Sequence, residues 1–363
     1  MLHEFLIGLI DGLITGIVPG MHINTIVQSI EEPISIIVAY PAFILSSFIP
    51  PIYLYSMNTE IGAAMLPSQR MALQGKGREA LLLSIYGVLL SFMIIAPFLF
   101  FMEPFFSLLS SDYIALPVIL LTIGVLFIKQ RNRFGGLFIF LLTGFLGIAS
   151  MNITNGLMPM LSGFFGLPAL LQKGTEIEMP QSSEQKGRRF LPFLLALFLG
   201  ITAASVKAVT PGIISILLYL WLRSDEERML SMGALLGANA IATIGNFYAT
   251  GALRSGPAVQ LATIEESIAM DNAIFLFLLS ALLSFILIFM VADRFAIVYK
   301  AINRARFVFI ALLVLLVILF SGAGGLFLFV VSSTIGILTV KLKTRRINCM
   351  GCIMVPALLN FLY

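Results

Sequence analysis

The chain has 363 residues, 59% of them hydrophobic and only 11% charged, and its mean hydropathy is +1.03. Soluble domains carry about 25% charged residues, so this balance excludes a water-soluble enzyme or binding module and indicates a chain that lives in lipid. The net charge of +4 is strung along short loops and forms no stripe for nucleic acid, and two cysteines, Cys349 and Cys352, build no disulfide framework.

In chain order, an apolar segment from Phe5 to Ile30 is interrupted at Gly16-Ile17-Val18-Pro19-Gly20. No lysine or arginine precedes Arg70, so this segment lacks the basic start of a signal peptide and is expected to be retained, with the N-terminus outside. A span over Pro33 to Tyr55 follows, then a polar loop to Arg78. Further spans are predicted over Glu79–Met102, Tyr113–Ile128, Phe134–Ser150 and, shorter, Gly156–Leu171. The stretch from Gln172 to Arg189 is the most polar of the chain and reads as a linker. A second interrupted segment, Phe190 to Leu222, breaks at Ala208-Val209-Thr210-Pro211-Gly212. Spans near Met229–Thr250, Asn272–Ala292, Phe307–Phe320, Leu326–Val340 and Cys349 to the end complete the chain.

The two Pro-Gly breaks lie 192 positions apart. Pro168-Ala169-Leu170-Leu171 returns as Pro356-Ala357-Leu358-Leu359, 188 on, and the segment starting at Glu79 has its counterpart near Asn272, 193 on. These offsets predict a duplication: repeat 1 over 1–172, a polar linker over 173–189 and repeat 2 over 190–363. Loops rich in lysine and arginine stay cytoplasmic, and matched loops carry opposite signals. The loop with Arg70, Lys76 and Arg78 pairs with one holding Glu265, Glu266 and Asp271. The turn with Glu103 and Asp112 pairs with one bearing Arg294, Lys300, Arg304 and Arg306. Lys129, Arg131 and Arg133 face the uncharged Ser321–Gly325, and the uncharged Met151–Asn155 faces Lys341, Lys343, Arg345 and Arg346. The expected fold is therefore an all-α polytopic membrane protein of two inverted-topology repeats, with roughly ten transmembrane helices plus two broken or re-entrant helices.

The breaks are where chemistry is expected. Proline removes a backbone donor and glycine admits left-handed dihedrals, so a helix stops and a new one starts with free amides that attract an anion. Pro19 and Pro211 make the breaks; Gly20 and Gly212 would contribute backbone, and His22, Asn24, Thr25, Thr210 and Ser215 side chains. Two charges lie inside apolar segments. Asp11 is either a cation ligand or proton carrier or an interfacial residue; Lys207 is either a counter-charge for an anionic substrate or a snorkelling end. Asn58 and Thr59 in the loop after the second segment, and Asn239, Thr243 and Asn246 in the second half, are ion-coupling candidates. Arg254 is either a carboxylate clamp or a helix-end anchor.

Gly12-x3-Gly16-x2-Pro19-Gly20 with His22-x-Asn24-Thr25, followed by Leu66-Pro67-x2-Arg70-Met71-x2-Gln74-Gly75-Lys76-Gly77-x-Glu79-Ala80, resembles the large membrane subunit of tripartite tricarboxylate transporters, closest to its short, archaeal-type members. The resemblance spans most of the chain. It implies a secondary carrier of di- or tricarboxylates in the cell membrane, driven by a sodium or proton gradient, with both Pro-Gly segments lining the site. It further implies a small membrane subunit and an extracytoplasmic binding protein as partners, beside the organic anion and membrane lipid. The chain is much shorter than the bacterial subunits of that family. No cofactor is expected beyond sodium as a coupling ion.

Competing classes are a channel, since broken helices also build filters, and an intramembrane enzyme using Cys349 and Cys352. An ATP-driven pump would need Gly-x4-Gly-Lys-Ser/Thr, which is absent, and only His3 and His22 are available to complete a metal site.

Overall fold

The computed structural model describes residues 1–18, 21–53, 65–127, 130, 132–153, 155–171, 190–207, 209–219, 221–295, 297 and 306–362; these are helical or connecting, with no strand among them. The first half holds α1 (Leu2–Ile17), the single-turn α2 (Ile23–Ile26) continued by the 3-10 turn Val27–Ser29, α3 (Pro33–Ser46), α4 (Ile49–Tyr53), α5 (Met65–Leu73), α6 (Gly77–Ile95), α7 (Glu103–Ser110), α8 (Asp112–Leu126), α9 (Arg133–Ala149), α10 (Leu157–Leu161) and, beyond a π-helical turn at Ser162–Gly166, α11 (Leu167–Leu171). The second half holds α12 (Phe190–Ser205), α13 (Pro211–Tyr219), α14 (Asp225–Thr250), α15 (Gly256–Thr263), α16 (Met270–Val291), α17 (Arg306–Lys341) and α18 (Gly351–Leu362), the last preceded by the 3-10 turn Arg346–Met350.

Local chemistry sets these bounds. The Ser224 hydroxyl accepts from Glu227 N at 3.1 Å, three acidic residues follow in the first turn of α14, and Gly251 closes the helix in the left-handed region at φ 73. Ser255 caps α15 through Ala258 N, with Pro257 in its first turn, and the Asn132 side chain caps α9 through Gly135 N at 2.9 Å. In α17, Gly322 adopts φ 62 and ψ −159, which ends one helical run and starts another. The two helices expected on either side of it, Phe307–Phe320 and Leu326–Val340, are thus separate helical runs that meet at Gly322.

By length and composition five segments can cross a bilayer: Pro33–Tyr53, Gly77–Phe101, Asp225–Thr250, Met270–Arg294 and Phe307–Lys341. A sixth arises if Glu103–Ser110 and Tyr113–Gly124, bent by 66°, form one span. The roughly ten expected spans thus resolve, among the described residues, into five or six of full length and several apolar helices of 10–17 residues. At 1.5 Å per residue these are shorter than a bilayer's hydrocarbon is thick.

Packing runs through small residues, as it must where lipid removes the hydrophobic drive between helices. A Cβ on Gly8, Gly12 or Gly16 of α1 would meet Ser35 O, Ala39 O and Ser46 Oγ at 2.4, 2.2 and 1.9 Å. The contacts advance together, so α1 and α3 run parallel, and the stretch between them must bring the chain back to the level where α1 began. In α12, Gly200 packs on Leu235 O and Asn239 N, while Ala204 O accepts from Asn246 Nδ2, which makes α12 parallel to α14. In both interrupted segments the chain therefore doubles back between two parallel helices, rather than continuing as one kinked rod. α3 and α14 are almost wholly buried at the centre.

α6 and α16, the helices matched by the 193-residue offset, run antiparallel: Arg78 pairs with Asp293 at 2.9 Å, Tyr86 stacks near Phe285 and Phe92 meets Phe277 edge-on at 4.8 Å. Close contacts also recur in matched places. Gly147 abuts Cys352 O as Gly336 abuts Phe164 O, and Gly351 abuts Phe140 O as Gly163 abuts Phe329 O.

Candidate functional site

The first break lies between α1 and α2. Pro19 and Gly20 fall outside the described residues, as do Asn58 and Thr59, and the side chain of Thr25 is likewise outside them. His22 occupies the N-cap position of α2: its Nδ1 accepts from Asn24 N at 3.1 Å, which puts the proton of the neutral ring on Nε2, and the ring leans on Phe43 with centroids 5.1 Å apart. The restarted helix is a single α-turn, so its dipole is weak. Asn24 reaches into the other half of the chain, its Oδ1 accepting from Gly256 N at 2.9 Å at the start of α15. Gly256 has to be small here, since a Cβ would lie 2.6 Å from Asn24 Cα. Gln260 of α15 adds a second tie, donating to Ile30 O at 3.0 Å. Arg254, two residues before Gly256, is half-buried with its Nε unpartnered, and burial holds its guanidinium below the usual arginine range.

The second break lies between α12 and α13, and there the restarted helix is nine residues long. Thr210 stands at its head. Its carbonyl accepts from Ile213 N and Ile214 N at 3.1 and 3.2 Å, while its hydroxyl is buried with no partner among the described residues. Gly212 and Ser215 are buried one turn further on, the Ser215 hydroxyl donating to Gly212 O at 2.6 Å. Lys207 is exposed between α12 and the break.

The α13–α14 connection is held by α5 of the first half. Arg70 Nε lies 3.5 Å from Asp225 Oδ2, and Arg228 Nη1 is 2.9 Å from Asp225 Oδ1; all three side chains are nearly buried. This cluster was not anticipated from the sequence, where Arg70 enters as a basic residue of a polar loop. Its carboxylate is internal, and no local pattern couples positions 70 and 225.

The remaining candidates are spread along α1 and α14. Asp11 is half-buried in α1, its carbonyl taken by Thr15 Oγ1. Asn246 spends both ends of its amide, Nδ2 on Ala204 O and Oδ1 on Thr250 Oγ1, and so fixes α14 to the end of α12 beside the second break. Thr243 donates to Asn239 O at 2.7 Å within α14. His22, Asn24 and the Arg254 loop are thus gathered at the first break. Thr210, Ser215, Lys207 and Asn246 are gathered at the second, and Asp11 belongs to neither group. Cys349 and Cys352 are buried free thiols, Cys349 Sγ lying 3.5 Å from Thr339 Oγ1. Among the described residues no three His, Cys, Asp or Glu side chains group as metal ligands.

Five or six described helices long and apolar enough to cross a bilayer, with several shorter ones, define a multi-pass membrane protein. The model of the tripartite tricarboxylate transporter TctA family matches residues 2–351, and the chain belongs to that family. It is also similar to an uncharacterized protein of Methanocaldococcus jannaschii, 25% identical over 396 residues that cover 98% of each chain. No solved structure matches.

Proposed function

We propose that the chain is a secondary active transporter of small organic anions, di- or tricarboxylates, driven across the cell membrane by a sodium or proton gradient. The reading rests on one observation above the others: each re-entrant hairpin is held by a short helix from the opposite half. α15 ties the first through Asn24 and Gln260, and α5 ties the region after the second through Arg70 and Asp225. Two hairpins held in this reciprocal way give a site between the halves whose walls separate when one half moves. The antiparallel course of α6 and α16 and the mirrored glycine contacts support two inverted repeats, and family membership supports the carboxylate class.

For the anion, the head of α13 offers backbone amides, the positive end of a nine-residue helix and the unpartnered Thr210 hydroxyl. Arg254, half-buried and with its Nε unpartnered among the described residues, is the proposed cationic contact from the loop beside the first break. His22 and Asn24 set the shape of that first break. A small membrane subunit and an extracytoplasmic binding protein are proposed partners.

The test is uptake into proteoliposomes over a panel of labelled carboxylates, with sodium and proton gradients imposed separately. Saturable uptake of one carboxylate that collapses with one gradient is expected. Gly212→Val is expected to abolish it while inserting normally. Single-channel conductance, or uptake indifferent to both gradients, would overturn the proposal.

A further inference from the structure

Away from the hairpins, the bundle built from residues 113–171 and 294–363 has an unusual charge balance. In sequence these ranges carry eleven of the 22 lysines and arginines and none of the 18 acidic side chains. A cation buried there finds acidic side chains only at the margins of these ranges, Asp112 and Asp293. Arg346 is such a cation. It starts the 3-10 turn before α18, is only 6% exposed, and makes no hydrogen bond or ion pair with any described residue.

Two carboxamides share the same end of the bundle. Asn348 is fully buried, with Nδ2 and Oδ1 both unpartnered. Gln130 is 6% exposed, with Oε1 unpartnered and Nε2 given to Asn132 O at 3.2 Å. They converge on Gly136 of α9: a Cβ there would lie 2.0 Å from Gln130 Nε2 and 2.9 Å from Asn348 Nδ2. The loops meet here too, since Asn132 Nδ2 donates to Leu342 O at 3.1 Å, which brings exposed Arg133, Lys341 and Lys343 to the rim. Two buried carboxamides with orphaned donor and acceptor atoms, a buried arginine two residues from one of them and a rim of exposed basic side chains suit an anionic phosphate whose headgroup also carries a hydroxyl donor.

We infer that the juncture of α9, α17 and α18 is a binding site for a phosphate group, that of an anionic phospholipid headgroup at the bilayer surface, with Arg346 as its buried counter-charge and Gln130 and Asn348 as its polar contacts. The basic loops are those expected at the cytoplasmic face, where anionic headgroups attract lysine and arginine. None of its residues is among those placed at either hairpin, so its occupancy is expected not to depend on which carboxylate the chain carries.

The experiment is native mass spectrometry and thermal unfolding of the purified full chain in neutral detergent, titrated with phosphatidylglycerol, with phosphatidylcholine, or with inorganic phosphate. Wild type is expected to retain and be stabilised by phosphatidylglycerol in preference to phosphatidylcholine. Arg346→Gln is expected to weaken that binding about tenfold or more through loss of a charge-assisted pair, and Arg346→Lys to restore part of it. Protection by inorganic phosphate as strong as by the lipid supports the phosphate site and assigns it to a soluble phosphate. Asn348→Asp keeps the fold readable if Arg346→Gln does not fold. It supplies an internal counter-charge, so it is expected to raise the unfolding temperature in lipid-free detergent and to erase the preference. No preference in wild type for phosphatidylglycerol or phosphate, or a preference undiminished in Arg346→Gln or Asn348→Asp, would overturn the inference.

Discussion

Thr210 is the residue at which stability and function are expected to part. Its hydroxyl is buried without a partner, and a group in that state costs about 1–3 kcal/mol. Valine has the same shape without the hydroxyl, so Thr210→Val should leave the unfolding temperature unchanged or raised while carboxylate uptake falls. Uptake at the wild-type rate would remove Thr210 from the site. Gly12 is the opposite case, because its role is contact alone. A side chain there collides with Ala39 O and Ala42 Cβ at 2.2 and 2.8 Å, so Gly12→Val should destabilise by about 1–3 kcal/mol through overpacking, read as a lower unfolding temperature in detergent. The sequence marks both residues, one beside a Pro-Gly break and the other in a Gly-x3-Gly row. It does not mark Arg70 or Asn24 for what they do, since their partners Asp225 and Gly256 lie far along the chain.

At the scale of elements, the two interruptions were legible and their form was not. An apolar run, Pro-Gly and a second apolar run describe a kinked spanning helix and a re-entrant hairpin equally well. What separates them is direction, which appears only in the advance of Gly8, Gly12 and Gly16 along α3 and of Gly200 and Ala204 along α14. The expected free amides at both breaks also need refinement: α13 runs for nine residues, whereas α2 makes one turn and His22 already caps it. The segments over Gly156–Leu171 and from Cys349 on were legible as apolar helices, and the structure makes them shorter than a full span. The tie between α5 and α14 has a direct consequence. Asp225→Asn leaves Arg70 and Arg228 facing each other with no carboxylate between them, and should cost about 3 kcal/mol of stability, as breaking a buried pair does. A thermal melt that matches wild type would show that the cluster is solvated and does not hold the α13–α14 connection.

For the whole molecule, the duplication is a reading of the sequence, drawn from offsets of 188–193 residues and reversed loop charges. The packing supports it in ways the sequence could not supply: α6 and α16 pass in opposite directions, and Gly147 against Cys352 is mirrored by Gly336 against Phe164. If the halves are inverted, the segments entering α6 and α16 emerge on opposite faces of the membrane. Lys76 and Glu265, both exposed, lie on those segments, and the native cysteines are buried and silent to a membrane-impermeant thiol reagent. The decisive measurement is labelling of Lys76→Cys and Glu265→Cys in sealed vesicles of known orientation. Modification of Lys76→Cys only from the cytoplasmic side and of Glu265→Cys only from the outside is predicted; modification of both from the same side would contradict the inverted arrangement, and with it a site shared between two opposed hairpins.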